Sequence, residues 1–217
     1  ISLDIDNVAL DDSATYEIFC DGATVGIFQF ESKGMQEYLR KLKPDRIEDL
    51  IAMNALYRPG PMENIDTYIS RKFGARIEYL HPMLEPILKE TNGIIVYQEQ
   101  VMRIASDLGK FSLGKADILR RAMGKKKLAL MAEMEVEFVD GCAENDIDKK
   151  TAKAIYDLIF KFASYGFNKS HSAAYSILAY QTAYLKRHHP AELMPASLTS
   201  EINDPKRIII LIDESKR

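Results

Sequence analysis

Apolar residues recur every three or four positions along most of this chain, the spacing that gathers them on one face of a helix. Met35, Leu39 and Leu42 predict a helix over Ser32 to Leu42, which stops before Pro44. Ile47, Leu50, Ile51 and Asn54 or Ala55 predict a second helix, Ile47 to Leu56. Asp11-Asp12-Ser13 is a capping pattern for a short helix that ends near Gly22. Further helices are expected over Asn64 to Lys72, after Gln98 (Val101, Met102, Ile104, Ala105, Leu108) and from Lys115 to a Gly124 stop. A long one opens at Lys125-Lys126-Lys127 and carries Met131, Met134, Phe138 and Val139 to about Glu144. Asp148 caps a helix through Ile155, Leu158, Ile159 and Phe162, and Ile177, Leu178, Tyr184 and Leu185 continue another to Lys186. Pro190 and Pro205 each suit the first turn of a helix. Period-two alternation is scarce. Val25 to Phe30 reads as a short strand or a buried turn, and Ile94-Ile95-Val96 as a β-branched run entering a helix. Arg58-Pro59-Gly60-Pro61 forces a rigid break, and Arg71 to Pro86 is an irregular connection. The expected fold is mainly α, with at most a few short strands.

Composition narrows the function classes. Apolar residues make up 47% of the 217 positions, enough for a buried core, and no apolar run is long enough to span a membrane. Cys20 and Cys142 stand far apart, which argues against a disulfide framework or a zinc site and suits a reducing cytoplasm. The chain opens on Ile1 rather than Met, as expected of a piece of a longer protein. Net charge is −3, so a nucleic-acid role has to rest on a local patch.

Such patches exist. Residues 1 to 32 carry seven acids and no Lys or Arg. Lys110, Lys115, Arg120, Arg121, Lys125, Lys126 and Lys127 then face a single acid, Asp117, a local charge of +6. Leu158 to Ala191 holds no acid at all, but does hold Lys161, Lys169, Lys186 and Arg187. Segregation of this kind is the footprint of phosphate binding, or else a solvated basic face. Arg120 and Arg121 splay by about 100° on a helix, so one can face a pocket while the other braces it.

The most informative stretch is YGFNKSHSAAY, Tyr165 to Tyr175. Asn168, Lys169, Ser170 and His171 fall where a helix should begin, where free N–H groups and the helix dipole favour an anion. The plainer alternative is an Asn- or Ser-capped helix with a solvated lysine. Tyr165 offers a ring for stacking on a base or sugar, or for packing in the core. Ser170-His171-Ser172 lacks an orienting acid for nucleophilic catalysis, and His188-His189 lacks metal-ligand spacing. Tyr97-Gln98-Glu99-Gln100 offers one carboxylate with no partner for a metal pair.

Five stretches together carry a resemblance: GIFQFES (26–32), RPGP (58–61), YQEQVM (97–102), LRRAMGK (119–125) and YGFNKSHSAAY (165–175). In this order and spacing the chain resembles the fingers domain of the bacterial replicative DNA polymerase III alpha-subunit family. The resemblance implies residues 1–25 as a connector and 26–217 as the fingers, with two helical lobes meeting near 75–95. It implies that Arg120 and Arg121 meet the triphosphate of an incoming deoxynucleotide, with Tyr165, Asn168, Lys169, Ser170 and His171 in a second pocket motif. Arg58 is expected to brace the pocket, and Lys110, Lys115, Lys125, Lys126 and Lys127 are candidates for primer–template backbone. Implied partners are primer–template DNA, other polymerase domains and replicase subunits in the bacterial cytoplasm, with no membrane. The family's palm holds Mg2+ on an Asp-x-Asp pair and a third aspartate. Asp4 and Asp6 have that spacing without the flanking residues, so the metal ligands are expected outside this chain and the chain alone is expected to be inactive. A helical module that binds nucleic-acid backbone without a nucleotide pocket stays open beside this reading.

Overall fold

The computed structural model of the chain describes residues 3–125, 127–162 and 165–216. Among these residues there are twelve α-helices, some short 3-10 turns and no strand. The backbone divides into two units, residues 1–54 with 171–217, and residues 55–170. The borders fall within one helix and near the start of another, and residues 75–95 lie inside the second unit.

The first unit contains α1 (Ser13–Cys20), α2 (Lys33–Leu42), most of α3 (Ile47–Leu56) and of α10 (Lys169–His188), then α11 (Pro190–Ser200) and α12 (Pro205–Glu214). Asp12 and Ser32 cap α1 and α2 through the N–H groups of Thr15 and Met35, as their sequence positions suggest. Val25 to Phe30 is a pair of turns and not a strand, with Gly26 and Gln29 in the left-handed region. Phe19 and Phe30 meet edge to face at 5.6 Å in a core that includes Leu39, Leu42, Leu50 and Tyr180. Tyr180 ties the acidic N-terminal segment to α10. Its hydroxyl accepts the Asp12 N–H and donates to the Ala9 carbonyl, each at 3.0 Å. Ser172 donates to the Ile51 carbonyl at 2.5 Å, fixing the buried side of α10 to α3.

The second unit contains α4 (Ile65–Lys72), α5 (Glu85–Leu88), α6 (Gln98–Asp107), α7 (Leu113–Gly124), α8 (Leu128–Ala143) and α9 (Lys149–Phe162). Its core joins Leu88, Ile104, Leu119, Met131, Phe138 and Tyr156. At Gly141 the turn after α6 approaches the α8 backbone so closely that a Cβ would collide with the Gly109 carbonyl. The Tyr156 hydroxyl donates to the Met131 carbonyl at 2.6 Å, and burial pushes its pKa up. Ile94-Ile95-Val96 forms no strand. Next to it, Tyr97 makes an isolated parallel bridge with Phe167.

Candidate nucleotide site of the second unit

The start of α6 organises this unit's polar face. Buried Gln100 folds back on the turn before it. Its Oε1 accepts the N–H groups of Val96 (2.8 Å) and Tyr97 (3.0 Å), and its Nε2 donates to the Ile87 carbonyl (3.2 Å) and to Thr91 Oγ1 (2.8 Å). Every donor and acceptor site needed is met, so this turn is held rigidly at low cost. It presents Gln98 and Glu99 to residues 165–169.

Gln98 makes three links. Its backbone N–H donates to the Phe167 carbonyl at 2.9 Å, its Nε2 donates to the Gly166 carbonyl at 3.1 Å, and its Oε1 accepts from Arg120 Nη1 at 3.3 Å. Two stretches about fifty residues apart in sequence therefore share one amide side chain. Glu99 takes the next positions, accepting from Asn168 Nδ2 at 3.2 Å and from the Lys169 backbone N–H at 3.0 Å. The N-terminus of α10, predicted to await an anion, already carries this carboxylate. Lys169 Nζ pairs with Glu90 at 2.7 Å and lies 5.5 Å from the Tyr97 ring.

Arg120 and Arg121 do splay, yet Asp117 one turn earlier collects both. Arg120 Nη2 and Arg121 Nε each lie 2.7 Å from it. The hydrogen bond from Arg120, then the charges of both guanidinium groups, lower the Asp117 pKa. The single acid of this basic stretch thus holds both arginines. Arg121 is the more open, 66% exposed against 31% for Arg120.

Arg58 spends its donors on backbone, Nε on the Ala55 carbonyl at 3.0 Å and Nη2 on the Tyr165 carbonyl, with its guanidinium 4.5 Å from the Phe167 ring. Burial lowers its pKa. Tyr165 lies over Gly60, whose φ of +100° and lack of a Cβ leave room for the ring. Tyr165 also lines a cavity of about 370 Å³ with Pro61, Asn64, Val96 and Phe162.

The remaining candidates divide. Lys115 is paired with Glu137 and stands 4.7 Å from the Phe111 ring. Lys110, Lys125 and Lys127 are exposed, with no side-chain ion pair among the described residues, and Lys126 lies outside those residues. Ser170 is exposed at the end of the second unit. His171 belongs to the first unit, where its ring stacks 4.2 Å from Tyr175, itself 5.1 Å from Phe28. The acid-free run proves to be acid-free only in sequence. Lys161, Lys169, Lys186 and Arg187 reach Glu63, Glu90, Glu214 and Glu17 respectively. Gln98, Glu99 and Glu90 escaped sequence reasoning as site residues, although YQEQVM stood among the recognisable motifs.

Among the described residues no three His, Cys, Asp or Glu side chains are grouped to hold a metal ion. Asp4, half of the Asp-x-Asp pair, instead accepts from the Asp6 N–H (3.2 Å) and Asn7 Nδ2 (2.7 Å) as the cap of a 3-10 turn. The donor set does not fit a two-magnesium centre. No helix of the described residues is long and apolar enough to cross a membrane.

A family model described as the bacterial DNA polymerase III alpha subunit finger domain matches residues 1–146. The chain belongs to this finger-domain family. Relatives continue the match through the remaining residues. The DNA polymerase III subunit alpha of Rickettsia prowazekii (strain Madrid E) is 54% identical over all 217 residues, and that of Borreliella burgdorferi is 54% identical over 213 residues, 98% of the chain. The Treponema pallidum (strain Nichols) subunit is 51% identical over 214 residues. The chain spans 18% of the first relative's length and 19% of the second's, so under a fifth of each.

Proposed function

We propose that this finger domain binds the incoming deoxynucleoside triphosphate for a DNA-directed DNA polymerase, in keeping with relatives named DNA polymerase III subunit alpha. The observation that supports it best is the Gln98 side chain, which joins Arg120 to the Gly166 carbonyl and so brings both nucleotide motifs of the second unit to one face. Arg120 and Arg121 neutralise the β- and γ-phosphates, Lys169 adds charge, Asn168 and Ser170 complete this unit's part of the motif, and Tyr165 lies against the sugar or base. Arg58 braces the loop that carries Tyr165. A phosphate reaching Arg121 exchanges for one side of Asp117, and one reaching Lys169 exchanges for Glu90, each a swap between charged hydrogen bonds.

Each charge-assisted contact contributes roughly 1.5–3 kcal/mol. Arg121→Ala in the full-length polymerase is therefore expected to cut kcat/KM for nucleotide about ten- to a hundredfold. Unchanged steady-state constants for that variant would remove the assignment. Mg2+ would activate the primer hydroxyl and the leaving pyrophosphate in such a reaction, and its ligands are expected outside this chain. The chain alone is expected to extend no primer and to bind triphosphate on the order of millimolar, since half the pocket's contacts are lost. Extension by pure chain, free of contaminating polymerase, refutes this.

A second reading is favoured by a specific observation for other residues. Lys110, Lys125 and Lys127 are exposed, with no side-chain ion pair among the described residues, the state suited to primer–template backbone. Such binding falls steeply with salt for any DNA sequence, whereas the pocket prefers triphosphate over monophosphate. In this role the domain works with the other polymerase domains and replicase subunits in the bacterial cytoplasm.

A further inference from the structure

We infer that Gln98 is a positioning residue for nucleotide binding, holding Arg120 at the distance from the Gly166–Lys169 segment that a triphosphate requires. The inference rests on the nucleotide-pocket reading above and adds to it a residue of no charge. Among the described residues Arg120 has two side-chain polar partners, Asp117 on its own helix and Gln98 on α6. Asp117 moves with α7 and cannot set the position of Arg120 relative to any other element. Gln98 can, because its amide faces both ways. It accepts from Arg120 at 3.3 Å and donates to the Gly166 carbonyl at 3.1 Å. A primary amide supplies an acceptor and a donor on separate atoms of one side-chain tip, which neither a carboxylate nor an ammonium does at neutral pH.

The side chain is itself well fixed. Its backbone N–H is tied to the Phe167 carbonyl at 2.9 Å, and the turn before it is locked by Gln100. Gly166 leaves room for it, since a Cβ there would stand 3.0 Å from Gln98 Cγ and 3.1 Å from the Phe162 ring. A short span of helix start thus sets the separation between a triphosphate-contacting arginine and the loop that contacts the rest of the nucleotide. Misplacing one charged group by an ångström is enough to weaken a bound geometry severely.

The test is a double-mutant cycle in the full-length polymerase, with KM and kcat for deoxynucleotide measured separately for Gln98→Ala, Arg120→Ala and the double variant. Each single change is expected to raise KM about tenfold with kcat held within about twofold, and the double variant to rise little further, because Gln98 acts through Arg120. Gln98→Glu is nearly isosteric and still accepts from Arg120, but turns a carboxylate toward the Gly166 carbonyl. It is expected to raise KM with an unchanged melting temperature, which a merely structural glutamine would not do, and it carries the test should Gln98→Ala fold poorly. A KM rise for Arg120→Ala without one for the Gln98 variants, or additive effects in the cycle, overturns this inference alone. An unmoved KM for Arg120→Ala overturns the pocket reading and this inference with it.

Discussion

Lys169 and Lys186 stand near opposite ends of the same helix, α10, and each lies 2.7 Å from a glutamate, yet they are different kinds of contact. Lys186 is 11% exposed and its Glu214 partner 6%. The ammonium also donates to the Ala23 and Val25 carbonyls, at 2.7 and 2.8 Å, so three donors meet three acceptors in a dry setting. Lys169 and Glu90 are 37% and 38% exposed, against water and one tyrosine ring. The first contact cannot exchange partners without leaving a charge buried and unpaired. The second can exchange a carboxylate for a phosphate at little cost, because water screens both states. Distance alone does not distinguish them; saturation and burial do. By that measure Arg121 with Asp117 belongs with Lys169.

The largest expected effect breaks the comparison at its buried end. Lys186→Met removes the ammonium from the Glu214 carboxylate and from two carbonyls, and is expected to cost about 3–5 kcal/mol of stability. Equilibrium denaturation of the chain reads this directly. A loss below about 1 kcal/mol, the range of an exposed pair, would place Lys186 in the same class as Lys169 and erase the distinction.

The next effect concerns the other end. Lys169→Met is expected to cost less than about 1 kcal/mol in the same denaturation series, because its pair is screened and the helix keeps the Glu99 carboxylate on its first N–H. In the full-length polymerase it is expected to raise KM for nucleotide about tenfold. Stability and function should therefore separate at Lys169 and coincide at Lys186. A Lys169 variant that loses stability with no change in KM reverses the reading of both ends.

The same contrast explains what the sequence made legible. The helices were readable because their causes are local: Asp12 and Ser32 cap within three residues, and the apolar spacing of Met35, Leu39 and Leu42 needs no distant information. The proline starts of α11 and α12 were readable for the same reason, whereas α8 begins only at Leu128, with Lys125 ending α7 rather than opening the next helix. Val25 to Phe30 was ambiguous because a short apolar run looks alike as strand or turn until its backbone finds partners, and here Thr24 Oγ1 closes the turn on the Phe30 carbonyl at 2.6 Å. Charge was the least readable property. Glu90 and Glu99 lie 79 and 70 positions from Lys169, so no window of sequence shows that the cationic stretch is already neutralised. Motif spacing identified Arg120 and Gly166 separately, while the glutamine that joins them carries no charge and so left no electrostatic trace.

The smallest expected effect sharpens the exchangeable class through pH. Asp117 is held below its ordinary pKa by the Arg120 hydrogen bond first and by both guanidinium charges after it. A depressed carboxylate contributes stability above its unfolded pKa, and that contribution fades as pH falls through the lower folded value. Wild type and Asp117→Asn should therefore differ by a small constant amount from about pH 5 to 8, the full ionised range of an ordinary aspartate, and converge as pH drops below about 3.9. Salt should shrink the difference at neutral pH, because both arginine pairs face water. The measurement is a set of denaturation midpoints for the two proteins at matched ionic strength. A difference that widens toward acid would mean that protonated Asp117 is the stabilising form, which contradicts two guanidinium groups at 2.7 Å. A difference that ignores salt would mean the carboxylate is shielded like Glu214, and Arg121 would then lack the freedom to leave it for a phosphate.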